Sequence, residues 1–333
     1  MRTRVTMRDV AKAAGVTTMT VSRALRDDRS VSAKTRARVE AFARDLGYVY
    51  DTTALAFRTQ KSGFVAVTLP SINNANFADT YRSLSNAISG SGMQILLGAT
   101  NYRIEREEEL VRQLLARNPE VLVMTGGYHT EATRALVEGR GLPVIEIWDL
   151  PEKPLGHVVG FSNAQAMKTI VTHLADLGHR KLAFVGASHG GDLRGAERRA
   201  GTSAAAVAMG LPEVAFLDAG PAPVTMRQGA DLAARVGQGL LEFDAIVCVS
   251  DPVAFGVLSE CRRLGIDVPG KLAITGFGLF DVALVSEPNI TTVDVAAKRI
   301  GDVTADMLAD IFSGETAPRT VDVGAELVRG ATT

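Results

Sequence analysis

Residues 6–27 read TMRDVAKAAGVTTMTVSRALRD. Thr6 followed three positions later by Asp9 has the form of a capping box, opening a helix that runs to Ala14. Gly15 breaks that helix and permits a tight turn, and Thr17 can cap a second helix through Leu25. Val10, Val16, Val21 and Leu25 supply apolar contacts between the two. A third helix opens near Ser32, where Val39, Phe42, Ala43 and Leu46 fall at i, i+3, i+4 and i+7 and make one buried stripe. Gly47 ends it. Three helices this short enclose little core, so their outer face is free for a partner.

Helix, glycine turn, helix is the helix-turn-helix order, in which the second helix enters the major groove of DNA. Its candidate reading residues are Thr18, Met19, Ser22 and Arg23, flanked by Thr17 and Thr20. Arg23 can grip guanine with two parallel hydrogen bonds, Met19 can pack on a thymine methyl, and the hydroxyls suit bases or phosphates. Arg8, Lys34 and Arg36 are candidate phosphate contacts, which position without specifying. Charge agrees with this placement. The chain of 333 residues has a net charge of −1, yet residues 1–60 carry +6 and the remainder −7. A basic head on a mildly acidic body points to nucleic acid bound at one end.

Hydrophobic content of 46% and charged content of 22% fit a folded globular chain with room for two or three domains. No apolar run approaches the roughly 20 residues that span a bilayer. The charged N-terminus leads straight into a helical pattern and does not read as a secretory signal. Cys248 and Cys261 are the sole cysteines and lack metal-ligand spacing, which fits a reducing cytoplasm and excludes a disulfide framework.

From Phe64 onward, short apolar strands alternate with helices: FVAVTL, MQILLGA, VLVMTG, PVIEIW, HVVGF, KLAFVGA, AIVCVS and LAITGF. That alternation predicts a parallel, doubly wound α/β arrangement. Eight strands exceed one compact lobe, and the scheme restarts near residue 163, so two lobes facing a cleft are expected. Ligands of open α/β sheets bind at the carboxyl ends of the strands. Nothing here points to catalysis. GASHGG lacks the spacing of a nucleotide fingerprint, no serine sits in a G-x-S-x-G pentapeptide, and no Cys/His/Asp cluster suggests a metal. No cofactor is expected.

The N-terminal string resembles the opening of the LacI/GalR repressors, including the core A-x-x-A-G-V-(S/T)-x-x-T-V-S-R, which runs here from Ala11 to Arg23. RDLGYVYDTTALAFRTQKSG, residues 44–63, resembles the third helix and hinge of that family. The resemblance extends over essentially the whole chain. It implies a small all-α helix-turn-helix head (1–49), a hinge (50–62) and a periplasmic-binding-protein-like body of two doubly wound parallel-sheet lobes. The lobes would comprise 63–162 with 291–321, and 163–290 with 322–333, the chain crossing near Ser162, Ile290 and Val321. Two hinge departures stand out. Tyr50-Asp51 replaces the usual Pro-Asn, and Phe57 replaces the leucine that wedges into the minor groove. Phe57 can do that job or can pack on the body; Ala54 keeps the small residue that paired hinge helices need.

For the cleft, the resemblance marks Asn74, Asn76 and Phe77 after the first strand, with Asn76 standing where an aromatic is usual. Asp149 matches an effector position or caps a loop. Arg198 matches the effector arginine of an R-x-x-G pattern, or is a surface residue like its neighbours Arg194 and Arg199. Ser250 and Asp251 align with an Asn-Asp pair, though Asp before Pro252 is also plain capping chemistry. After Phe277 the neutral-sugar members carry an Asp; this chain has Gly278. With GFSN (160–163) and the T-x-x-x-H-T of Thr125 to Thr130, that absence resembles the gluconate-responsive branch. His129 there can donate to an effector carboxylate or be an ordinary loop histidine. The family implies a cytoplasmic repressor pairing as a dimer or higher oligomer on a pseudo-palindromic operator, controlled by a sugar-acid or sugar effector. The sign of control stays open. A transporter's solute-binding protein would share the body but carry a signal peptide and no DNA head; a protein-docking role for the helices fits the basic head poorly.

Overall fold

The structure, a computed structural model, describes residues 5–26, 28–50, 62–189, 191–315 and 317–333. It separates into two compact units, Met1–Ser62 and Gly63–Thr333.

The described residues of the first unit form three helices: α1 (Met7–Ala14), α2 (Thr18–Ala24) and α3 (Ala33–Asp45). The Thr6 amide and hydroxyl both donate to Asp9 Oδ2, at 2.8 and 2.7 Å, closing the start of α1. Gly15 ends it in the left-handed region (φ 63°). The hydroxyls of Thr17 and Ser32 accept from the amides of Thr20 and Thr35 and cap α2 and α3. Val10, Val21 and Val39 form the centre of the core, with Ala14, Ala24 and Ala43 letting the helices approach. Leu46, expected in the buried stripe, is 39% exposed. It follows the last helical residue, and Tyr48, beyond the turn at Gly47, packs on this core. Arg36 is not turned toward a phosphate either: Nη2 donates to the carbonyls of Asp28 and Val31 and braces the loop between α2 and α3.

The second unit holds two parallel sheets. Its elements run β1 (Phe64–Leu69), α4 (Ala75–Ile88), β2 (Gln94–Ala99), α5 (Ile104–Leu115), β3 (Val121–Thr125), α6 (Glu131–Arg140), β4 (Val144–Ile147), β5 (His157–Gly160) and α7 (Asn163–Asp176). They continue with β6 (Leu182–Gly186), α8 (Leu193–Ala208), β7 (Ala215–Asp218), α9 (Met226–Val236), β8 (Ala245–Cys248), α10 (Asp251–Arg263), β9 (Ala273–Thr275) and α11 (Asp281–Val285). The last are β10 (Thr292–Asp294), α12 (Ala297–Ser313), β11 (Thr320–Asp322) and β12 (Glu326–Val328). The first sheet has the order β11-β5-β4-β3-β1-β2 and the second β7-β6-β8-β9. β10 and β12 form a separate antiparallel pair, Val293 opposite Leu327. The first sheet keeps the chain through Asp322, one residue past the boundary read at 321.

Burial on both faces explains why the strands read as unbroken apolar runs. In β3, Val121 and Val123 join the core that spans most of the unit, whereas Leu122 and Met124 meet Val111, Leu114 and Val137 on the other side. Four short strands escaped the sequence reading: β7, β10, β11 and β12. Among the described residues no helix is long and apolar enough to cross a membrane.

Candidate functional site

Two regions carry functional geometry, one in each unit. In the head, α2 turns Val21 and Ala24 inward and Thr18, Met19 and Arg23 outward, Met19 being 60% exposed. Thr17 is exposed but committed to its cap, and the Thr20 hydroxyl lies 3.0 Å from the Thr17 hydroxyl. Ser22 is half-buried, its hydroxyl 3.3 Å from that of Tyr50. Arg26 folds back, its Nε donating to the Ser22 carbonyl. Of the DNA-facing residues read from sequence, three thus stand clear of the head and three are engaged within it. Ala54 and Phe57, with the rest of 51–61, lie outside the described residues.

In the body, a pocket of about 440 Å³ including its mouth opens at the carboxyl edges of the strands. Pro70 after β1, Thr100 after β2, Gly126 after β3 and Asp149 after β4 line it from the first sheet. Leu193 and Arg194, in the first turn of α8, line it from the second. Arg103, Glu107, Thr125 and Tyr128 complete a polar wall.

Asp149 is buried, accepting from the Gly127 amide at 3.3 Å and from the Leu150 amide at 2.9 Å, and burial pushes its carboxyl up. It follows Trp148, a non-glycine residue held at φ 75°, a strained conformation of the kind that clusters at binding sites. The Trp148 ring is the second in a row of four: Phe77 at 5.1 Å, Trp148, Phe161 at 6.2 Å, then Phe277 a further 6.2 Å on. An arginine lies over each end, Arg194 5.5 Å above Phe77 and Arg198 4.2 Å above Phe277.

Of the nine effector residues read from the sequence, Asp149 alone lines the pocket. Arg198 is turned into its own lobe: Nε donates to Asn163 Oδ1 at 2.9 Å and Nη1 to the Val249 carbonyl at 2.7 Å. Asn163 in turn donates to Glu197, which also accepts from Tyr128 across the cleft. Asn74 caps α4 through the Asn76 amide, and Asn76 Nδ2 donates to the Gly278 carbonyl at 2.8 Å. Phe77 and Phe277 are buried ring partners. Ser250 stands before α10 without a capping bond.

Two of these residues are bonded within the body. The Asp251 carboxylate is wholly buried and committed, accepting from the Phe280 amide at 2.8 Å and the Thr292 hydroxyl at 2.5 Å. Burial pushes its carboxyl up to about 6. It fastens the loop after β9 and strand β10 to α10. The His129 ring is likewise enclosed, Nδ1 2.6 Å from Glu107 Oε1 and Nε2 3.4 Å from Glu146 Oε1. Burial alone would lower its pKa, but the hydrogen bond to Glu107 and the nearby Glu146 carboxylate outweigh it and raise the imidazole to about 9. His129 is therefore a charged brace under Glu107; its carboxylate partners belong to the protein.

The residue that sequence reasoning passed over is Arg194. It is 9% exposed, lines the pocket, and makes no hydrogen bond or ion pair among the described residues. Its place at the first turn of α8, one helical turn before Arg198, was the available signal.

Residues 6–51 match the family described as bacterial regulatory proteins, lacI family, and residues 171–333 match the periplasmic binding protein-like domain. The chain is 32% identical over 333 residues to the HTH-type transcriptional regulator GntR of Escherichia coli strain K12, with 97% of each chain covered. The crystal structure of a LacI-family transcriptional regulator from Silicibacter pomeroyi has a TM-score of 0.91 at 29% identity, covering 98% of this chain and 99% of that one. The lac repressor dimer bound to operator and the anti-inducer ONPF has a TM-score of 0.83 at 21% identity, covering 99% of each chain, a likeness of fold. With its helix-turn-helix head and periplasmic-binding-like body, the chain belongs to the LacI family and is a DNA-binding transcriptional regulator.

Proposed function

We propose that this regulator is a cytoplasmic repressor whose grip on a pseudo-palindromic operator is set by a sugar acid such as gluconate. One observation carries the effector reading. Where neutral-sugar members place a hydroxyl-accepting Asp, this chain has Gly278 at φ 117°, its carbonyl taken by Asn76. Gly278 adds no carboxylate to that side of the cleft, where Asp251 is buried and bonded to Phe280 and Thr292, while Thr100, Thr125, Tyr128 and Asp149 offer partners for hydroxyls.

On this reading Thr18, Met19 and Arg23 read base edges, and two heads meet two half-sites through a dimer of bodies. The lac repressor that shares this fold was solved as such a dimer on operator. The lobes, 63–162 with 291–321 and 163–290 with 322–333, close on the effector and couple that closure to the hinges, a linkage that must be reciprocal. Calorimetry with gluconate, related aldonates and neutral hexoses tests the effector class; tighter binding of a neutral hexose overturns it. Selection of bound DNA from random sequence, with and without gluconate, returns operator, half-site spacing and the sign of control together.

A further inference from the structure

We infer that Arg194, and not Arg198, recognises the anionic group of the effector, which seats against the first turn of α8. The inference rests on the sugar-acid reading above and names the residue that reading lacks.

Arg198 is poorly placed for the task. Two of its three guanidinium nitrogens donate to Asn163 and Val249, and its plane stacks on Phe277. Those contacts fasten α8 to α7 and to the end of β8. Arg194 lies one turn earlier with its fork uncommitted. An ionised group taken out of water without a counter-ion is costly, and such groups are found paired. Among the described residues it makes no hydrogen bond or contact ion pair, only the longer-range attraction of Asp149 and Glu197, and the space beside the guanidinium is the pocket. A bound carboxylate completes the pair with two parallel charge-assisted hydrogen bonds.

One helix N-terminus reinforces that choice. Asp192 already caps α8, its carboxylate accepting from the Gly195 amide at 3.1 Å, so the free helix end is that of α5, which Arg103 and Ile104 open on the same pocket. Arg103 gives α5 no side-chain cap, so its first amides are free to face an anion. The opposite wall is acceptor-rich. Asp149 is positioned by the Gly127 and Leu150 amides, and Glu107 is held by His129. The ligand that satisfies both walls has one carboxylate and adjacent hydroxyls, oriented with the carboxylate at α8 and the hydroxyls toward Asp149 and Glu107.

Calorimetry on the full chain with D-gluconate and with D-glucitol, its uncharged counterpart, tests this in wild type, Arg194→Gln, Arg194→Lys and Arg198→Lys. Arg194→Gln should weaken gluconate by about 100-fold, the loss of two charge-assisted bonds, and leave glucitol unchanged. Arg194→Lys, keeping the charge without the fork, should fall between. Without ligand, Arg194→Gln should melt close to wild type, since no hydrogen bond or contact ion pair of the described residues is lost. Gluconate affinity within about threefold of wild type in Arg194→Gln overturns the assignment. So does a lowered melting temperature that accounts for the loss, or a gluconate-specific loss confined to Arg198→Lys. A wild type that binds gluconate no better than glucitol or neutral hexoses instead overturns the sugar-acid reading beneath it.

Discussion

Asn76 and Gly278 are hydrogen-bond partners, the asparagine amide donating to the glycine carbonyl at 2.8 Å and joining the first turn of α4 to the loop after β9. Both are departures from the family pattern, and they meet. Gly278 sits at φ 117°, and a β-carbon added there would lie 2.5 Å from the Phe280 ring and 3.0 Å from Asn76 Nδ2. Gly278→Ala should therefore lower stability by about 1–3 kcal/mol. Asn76→Ala, which leaves the carbonyl without its donor, should lose about 1 kcal/mol. Urea unfolding of the two single variants and the double measures both, and the double should cost less than the sum. A Gly278→Ala protein as stable as wild type contradicts the account.

The His129 brace predicts a pH dependence. Its imidazole is raised from 6.5 to about 9 in the folded chain, so the folded state holds the proton more tightly than the unfolded. The stabilisation is complete below pH 6.5 and drains away as pH rises through 9, about 3 kcal/mol at the outside. His129→Gln should be less stable at pH 6 and should flatten this part of the profile. Melting curves between pH 6 and 9.5 decide; an unchanged slope in His129→Gln counts against the pairing with Glu107 and Glu146.

Asp251 tests whether a family-matched residue is structural. Asp251→Ala strands two buried donors, the Phe280 amide and the Thr292 hydroxyl, and should cost about 2–4 kcal/mol. Asp251→Asn keeps one acceptor oxygen and should cost less. Neither should change the affinity of the remaining folded protein for its effector by more than about threefold. A selective loss of effector binding at full stability would return Asp251 to the pocket.

Arg23 and Arg36 separate reading from bracing in the head. Arg23→Ala should weaken operator binding by about 10–100-fold and relax specificity at one base pair, with the head's melting unchanged. Arg36→Ala removes the bonds to Asp28 and Val31 and should lower the melting temperature of the head. Anisotropy titrations on selected operator DNA, beside thermal melts, check both. Equal effects of the two variants on melting would undo the distinction.

Local chemistry was legible wherever a short window decides it. Thr6 with Asp9, Gly15, Thr17 and Ser32 act over three or four residues, and strands such as β3, β4, β6 and β8 announce themselves by unbroken burial. β7 is half-exposed along its length and sits at a sheet edge, while β10, β11 and β12 have three residues each, too few to show a period. The cleft was harder for a different reason. Pattern matching picks Arg198, but the groups that capture it, Asn163 and Val249, lie 35 and 51 positions away, and their placement is a property of the folded lobe. His129 shows the same limit. Glu107 and Glu146 reach it from two elements, and nothing near residue 129 foretells either.

Trp148 is the sole tryptophan in 333 residues, held edge-on between Phe77 and Phe161 beside Asp149. Its indole nitrogen is enclosed without a partner among the described residues. Every indole photon this protein emits therefore originates in the body, one residue from the pocket-lining Asp149, and none from the DNA-reading helices. The molecule carries its own optical gauge of what enters between the lobes, and the dark head can be titrated with operator while that gauge is read.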